Sequence, residues 1–204
     1  CVKMTRDNKF LMAADLGMDH TDVYELDHRT GKLKHVDVIR SEIESAPRHI
    51  KMTKDGKFVY IVHELKNYID IYSYELEGNN PEFTKLGSVS TLNNYHAGGS
   101  AASALNFSMD EQFLVSSNAG DNSVIVYKIN HDTGELDKLF CLPISGDYPK
   151  DAALFPDNKH LVSLNHETNT MTFFNVDVEK GLLVMNGKEM KIAKPNCVIF
   201  HKLS

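Results

Sequence analysis

The chain has 204 residues, 42% of them hydrophobic and 25% charged, and a formal charge of −6. That is enough chain for one sizeable domain with a real core, and the composition is ordinary for a globular protein. The acidic balance, with no basic stripe to offset it, argues against nucleic acid as a partner. No apolar run approaches the roughly 20 residues of a membrane-spanning helix. Three scattered cysteines, Cys1, Cys141 and Cys197, make no Cys-x-x-Cys, so neither a zinc site nor a disulfide scaffold is expected. A reducing cytoplasm is the natural compartment. The start, Cys1-Val2-Lys3-Met4, shows no leader-like apolar segment and no initiator Met, as in a processed chain or a piece of a longer one.

Four segments align with one another: residues 5–15, 53–63, 108–118 and 155–165. Their turn aspartates Asp7, Asp55, Asp110 and Asp157 are separated by 48, 55 and 47 residues, and Tyr24, Tyr72, Tyr127 and Phe174 repeat the same spacing. Two markers in one register indicate an internal repeat.

In chain order, the first unit (1–45) has an Asp7-Asn8 turn, an apolar strand, and an alternating strand carrying Val23, Tyr24 and Leu26. Thr30-Gly31 then leads to an outer strand, and 38–45 reads as loop. The second (46–100) has a short apolar strand over 49–52, an Asp55-Gly56 turn and a continuously apolar strand over 58–62. An alternating strand with Ile69, Ile71, Tyr72 and Tyr74 follows, and a polar, glycine-rich surface loop over 93–100 closes the unit. The third (101–147) repeats the pattern with strands over 102–107 and 113–116, then Val124, Val126 and Ile129 before a Thr133-Gly134 turn. The fourth (148–193) does so around Asp157-Asn158 and Lys180-Gly181. Residues 194–204 hold an expected closing strand, the lone first strand of a further unit.

Four-stranded units at this period predict an all-β fold: a single β-propeller domain over 1–204, with about four blades and a closing strand out of a ring of seven. A piece of this kind would expose apolar blade faces.

Propeller geometry brings the start of each first strand and the end of each second strand to one face. The starts supply Arg48, His49 and Lys150; the ends supply His63, Glu64, Asn118 and His166. Propeller channels are polar in any case, yet Arg, Lys, Glu and His converging on one face predict a ligand site. Arg48 can grip a carboxylate or phosphate through paired N–H donors, or form a structural salt bridge. Glu64 suits a general base or a hold on a sugar hydroxyl, or the partner in that bridge. His63 and Glu64 alternate in direction, so only one of them faces the channel. Lys150 is a candidate anion contact. His49, His63, Asn118 and His166 are candidate substrate contacts. Neither a Gly-x-Ser-x-Gly, a phosphate loop nor a His-Glu-x-x-His occurs, and Asp121-Asn122 and Asp157-Asn158 read as turns, not calcium loops; no metal site is expected.

Ala13-Ala14-Asp15-Leu16-Gly17, Pro47-Arg48-His49, Val62-His63-Glu64-Leu65, Ser117-Asn118, Tyr148-Pro149-Lys150-Asp151 and Cys197-Val198-Ile199-Phe200 together resemble the lactonase family of seven-bladed propellers. The resemblance runs in order through the whole chain and matches the C-terminal four blades or so. It implies cofactor-independent hydrolysis of a sugar-acid lactone, such as 6-phosphogluconolactone, in the cytoplasm, with the anionic lactone as the small-molecule partner. It also implies a site of one His, two Arg and one Glu. Arg48 and Glu64 match an Arg and the Glu; the second Arg falls at Lys150, and the His lies upstream of Cys1. Where many relatives carry an Arg after the third unit's Asn, this chain has Ala119. Two alternatives stay open: a non-catalytic propeller that binds an anionic metabolite or a protein, and an enzyme like the family's muconate-lactonising relative.

Overall fold

The computed structural model describes residues 1–94 and 98–201, and all regular structure among them is β-strand. The strands form four antiparallel sheets that follow one another along the chain, each laid down in sequence order. The first holds β1 (Val2–Met4), β2 (Phe10–Asp15), β3 (His20–Asp27) and β4 (Lys32–Arg40); the second β5 (Pro47–Met52), β6 (Phe58–His63), β7 (Tyr68–Glu77) and β8 (Asn80–Ser90). The third holds β9 (Ala101–Ala102), β10 (Asn106–Phe107), β11 (Phe113–Ala119), β12 (Ser123–Ile129) and β13 (Leu136–Pro143). The fourth holds β14 (Pro149–Leu154), β15 (His160–Asn165), β16 (Thr170–Asp177), β17 (Leu182–Met185) and β18 (Met190–Lys191). These are four-stranded propeller blades. In the third, β9 and β10 both pair with β11, and in the fourth, β17 and β18 both pair with β16, so each extra strand is one blade strand interrupted. The chain divides into two compact units. One is Cys1–Val89 with His131–Glu135; the other is Ser90–Asn130 with the chain from Leu136 onward.

The turn between the first two strands is made the same way in the first three sheets; in the fourth, Phe155 replaces the hydroxyl residue and Asp157 Oδ1 accepts the backbone N–H groups of Lys159 and His160, at 2.8 and 3.2 Å. Thr5, Thr53 and Ser108 each donate a hydroxyl hydrogen bond of 2.6 Å to the aspartate two residues on, Asp7, Asp55 and Asp110. That aspartate then accepts an N–H two residues further along, at Lys9, Lys57 and Gln112, at 3.1 Å. The residue after the aspartate is left-handed: Asn8, Gly56, Glu111 and Asn158. Asn and Gly adopt that conformation readily, which is why Asp-Asn and Asp-Gly mark these turns in the sequence.

Each unit has its own core. In the first, Phe10, Met12 and Val23 pack with Ile50, Met52, Val59, Ile61 and Tyr72. In the second, Val115, Val124, Val126 and Phe140 pack with Ala152, Leu154, Leu161 and Phe174. All six residues of β6 are buried, the mark of a strand covered on both faces. Burying one such aliphatic or aromatic side chain is worth about 1.5–3 kcal/mol, so these strands are the rigid ground on which their polar ends stand.

Three expectations differ in detail, the first being that β4 runs on to Arg40, into the stretch 38–45 expected as loop. The third sheet's first strand is broken at 103–105. There the Ser103 N–H donates to Ser117 O at 2.7 Å, the Ala104 N–H to the Ser117 hydroxyl at 3.1 Å, and the Ser116 hydroxyl to Ala104 O at 2.7 Å. Serine hydroxyls stand in for ladder bonds there. Part of the glycine-rich loop, residues 95–97, lies outside the described residues. The stretch expected as a closing strand pairs with no strand among the described residues, because an extended segment becomes a strand only beside a ladder partner. It is tied instead by the Val198 N–H, which donates to Asp151 Oδ2 at 2.9 Å, and by Phe200, whose ring packs 4.5 Å from that of Phe155. No helix among the described residues is long and apolar enough to cross a membrane.

Candidate functional site

In the first unit the site is built where β5 begins and β6 ends. Pro47 pairs with His63 and His49 with Val62, so Arg48 is the extra residue of a β-bulge. Bulges re-aim a side chain out of the sheet's alternation and recur beside active sites. The Glu64 N–H donates to Ala46 O at 2.8 Å, which carries the pairing one step past the strand end. Arg48 Nη1 then donates to Glu64 Oε2 at 2.5 Å. The two side chains are 25% and 19% exposed, so the pair is sheltered yet reachable from water.

The approach to Arg48 is held by Asp19. Its Oδ2 accepts the Glu44 N–H at 2.7 Å and its Oδ1 the Ala46 N–H at 2.9 Å. Hydrogen bonds from the Ala46 and Glu44 amides hold the Asp19 carboxyl below the usual carboxylate range. Glu44 and Ala46 both have left-handed backbone, at φ 61° and 58°.

His49 is half-buried. Burial first, and the positive charges of Arg48 and Lys51 next, push its imidazole down to about 4, so it is neutral at pH 7. It can accept or donate a hydrogen bond but carries no charge to an anion there.

His63 is not a substrate contact in this structure. It is 0% exposed. Its Nδ1 lies 3.0 Å from the Ser45 hydroxyl, its Nε2 lies 3.3 Å from Asp70 Oδ2, and its ring stacks on Tyr68 at 4.2 Å. Of the alternating pair, Glu64 is the one that faces out. Asp70, itself 0% exposed, also meets Lys85 Nζ at 2.7 Å and the Ser88 hydroxyl at 2.6 Å. Burial raises its carboxyl, but hydrogen bonds from His63, Lys85 and Ser88 outweigh that and hold it at about 2. This buried carboxylate thus anchors His63, and His63 in turn holds Ser45, two residues before Pro47.

The second unit repeats the arrangement. Pro149 pairs with Asn165 and Asp151 with Leu164, so Lys150 occupies a bulge at the place Arg48 has in β5. The His166 N–H donates to Tyr148 O at 3.0 Å, as Glu64 does to Ala46. Register therefore makes Lys150–His166 the counterpart of Arg48–Glu64. The Lys150 ammonium sits 4.8 Å from the centre of the Tyr148 ring, a cation–π contact. His166 is 21% exposed at its side chain, and its buried Nδ1 has no hydrogen-bond partner among the described residues. An unsatisfied ring nitrogen suits a ligand hydroxyl or oxyanion.

Asn118 does not take part. It is 0% exposed, and its amide donates to Thr91 O at 2.7 Å and to the Ser123 hydroxyl at 3.0 Å. At a strand end an Asn reads equally as a ligand contact or as a bracket for a neighbouring carbonyl; here it is the bracket.

One set of residues was missed by sequence reasoning. Asp19, Asn67, Asn122 and Asn169 all have left-handed backbone, at φ 52° to 55°. Asn122 Oδ1 accepts the Tyr148 N–H at 2.8 Å, as Asp19 does from Ala46. The signal was present: these four residues follow the same spacing as the turn aspartates.

The family described as "Lactonase, 7-bladed beta-propeller" matches residues 1–200. An uncharacterised protein of Lactococcus lactis is 30% identical over 196 residues, covering 96% of this chain and 56% of its own. The 6-phosphogluconolactonase of Bacillus subtilis is 28% identical over 196 residues, covering 96% and 55%. Among solved structures, the periplasmic gluconolactonase PpgL of Pseudomonas aeruginosa superposes with a TM-score of 0.87 at 24% identity, covering 96% of this chain and 55% of that one. The last likeness speaks to fold. The chain thus spans little more than half the length of the relatives it matches.

Proposed function

The chain belongs to the seven-bladed β-propeller lactonase family, and from that premise and the Arg48–Glu64 pair we propose that it opens a sugar-acid lactone by hydrolysis. The lactone is of the 6-phosphogluconolactone kind, the substrate in the name of the Bacillus subtilis relative. The observation that carries the reading is the guanidinium and carboxylate in contact at a bulged strand end, sheltered but open to water.

Glu64 takes a proton from water as the water oxygen adds to the lactone carbonyl carbon. Arg48 stabilises the negative charge that develops on the carbonyl oxygen. The tetrahedral species then collapses, the ring C–O bond breaks, and the proton passes to the departing ring oxygen, leaving the open hydroxy acid. Arg48 therefore both orients Glu64 and meets the developing charge, two tasks for which a planar fork of N–H donors is suited and an ammonium is not. No step needs a cofactor. In the second unit Lys150, in the equivalent bulge, is by itself a candidate contact for an anion. The protein acts in the cytoplasm on this reading, in keeping with its three unpaired cysteines.

The test is lactone hydrolysis above the spontaneous rate, followed by acid release. Glu64→Gln and Arg48→Ala should each lower kcat by about tenfold or more. Rates equal to those of the unsubstituted protein, or an unsubstituted protein no faster than buffer, would refute the assignment.

A further inference from the structure

Asparagine followed by glycine occurs at one place in the chain, Asn186-Gly187, in the link between β17 and β18. The pair sets an electrophile beside a nucleophile. The carboxamide carbon of Asn186 and the backbone nitrogen of Gly187 are neighbours along the chain. Without a Cβ at 187 the backbone is free to bring them together.

The surroundings leave both groups available. Residues 184–188 are exposed. Gly187 has left-handed backbone, at φ +82°, and nothing beyond its chain neighbours lies within 4 Å of where a Cβ would stand. Its N–H has no hydrogen-bond partner among the described residues. The Asn186 amide donates from Nδ2 to Asn175 Oδ1 at 3.2 Å, an exposed bond at the long end of the usual range. Comparable pairs elsewhere are tied down. Asn122, followed by the small Ser123, is held at both ends of its amide: Nδ2 donates to Asp147 Oδ1 at 2.7 Å, and Oδ1 accepts the Tyr148 N–H at 2.8 Å. At Asp55-Gly56 the carboxylate accepts from the Thr53 hydroxyl at 2.6 Å and the Lys57 N–H at 3.1 Å.

We propose that Asn186-Gly187 is a self-modifying site, and that its product loosens β18 from the fourth sheet. In mild base the Gly187 nitrogen gives its proton to hydroxide and adds to Asn186 Cγ. The Cγ–Nδ2 bond breaks, and the amide leaves as ammonia after taking a proton from water. Water then opens the resulting succinimide ring at either of its carbonyls. One opening gives aspartate; the other gives isoaspartate, whose main chain runs through Cβ and Cγ. The only co-reactant is water, and the step is independent of the lactone chemistry.

The link spans a fixed gap along β16. Upstream, Met185 pairs with Phe174 and the Asn186 N–H donates to Phe173 O at 2.7 Å. Downstream, Met190 pairs with Met171 and Lys191 with Thr170. The Ile192 N–H then donates to Asn169 O at 3.0 Å, and the Lys194 N–H to Asn169 Oδ1 at 3.1 Å. Isoaspartate lengthens the link by a methylene and pushes β18 out of register. Aspartate sets a carboxylate against Asn175 Oδ1 in place of a donor. Both residues of β18 are exposed, so little buried surface resists the change.

The experiment ages the folded protein in mildly alkaline buffer and follows it by peptide mapping with mass spectrometry. The peptide carrying Asn186 should gain the mass difference between amide and carboxyl, about tenfold or more faster than the peptide carrying Asn122. The product should separate into aspartyl and isoaspartyl isomers. Hydrogen exchange of the Ile192 amide should quicken about tenfold or more in the aged protein. Asn186→Gln, whose amide would have to close a larger ring, should show neither change. Asn186 converting no faster than Asn122, or an aspartyl product without isoaspartate, overturns the proposed site. A converted protein whose Ile192 amide exchanges at its original rate overturns the proposed effect on β18.

Discussion

Asp70 gives the sharpest quantitative test of how the first unit holds its site. The carboxylate is 0% exposed and is approached by His63 from β6, Tyr72 from β7, and Lys85 and Ser88 from β8. Moving its carboxyl from the ordinary 3.8 to about 2 is worth about 2.5 kcal/mol of folding stability at neutral pH. The group's value is lowered on folding, so this stability is fully present above the unfolded value. It fades as pH falls through 3.8 and on through about 2. Asp70→Asn keeps the shape and removes the charge, so at pH 6 it should cost about 2.5 kcal/mol in urea unfolding. At pH 3 the gap from the unsubstituted protein should shrink to about half of that, because the carboxylate is then losing its advantage. Carbon-13 NMR of the Asp70 carboxyl supplies the direct reading, with a midpoint near 2. A gap of equal size at both pH values, or a carboxyl midpoint near 3.8, would refute the reasoning. The consequence reaches the site because His63 links Asp70 to Ser45, just ahead of Arg48.

Asp19→Ala removes the acceptor for the Glu44 and Ala46 amides and should lower kcat/KM for lactone hydrolysis about tenfold by loosening Arg48. Asp19→Asn should recover most of it, since Asn122 does the same work with an amide oxygen; a variant as poor as Ala would show that charge is what matters. Gly146 has φ +115°, and a Cβ there would lie 2.2 Å from the Asn165 amide nitrogen. That amide is committed to Ser145, Thr170 and Thr172 and cannot retreat, so Gly146→Ala should cost about 2 kcal/mol or more in thermal or urea unfolding. A cost under about 0.5 kcal/mol would mean that the 144–148 segment adjusts freely.

The blades were legible because their punctuation is local. An Asp recurring at one spacing, most often followed by Asn or Gly, marks a tight turn by itself, and apolar alternation does the rest. Arg48 and Glu64 were legible as a pair because up-and-down strands carry a start and an end to one side. What the sequence could not show is which polar residue at a strand end is spent inside. His63 and Asn118 sit where a ligand contact could sit, yet one is stacked on Tyr68 and the other brackets Thr91. Both choices depend on neighbours that a linear pattern does not rank. Lys194-Pro195-Asn196 was harder still, because its likeness to Ala46-Pro47-Arg48 lies in backbone dihedrals and in a hydrogen bond to a residue 25 positions earlier.

The strap that precedes Pro47, Pro149 and Pro195 is made by main-chain N–H groups and one Asx side chain, and uses no atom of the side chain that follows the proline. Arg, Lys and Asn already occupy the position in one polypeptide. A substitution there leaves the strap's own hydrogen bonds in place. On the proposed function, side chains at these positions can change one at a time while the framework that carries them stays the same. A fold arranged this way separates what must stay the same from what is free to vary.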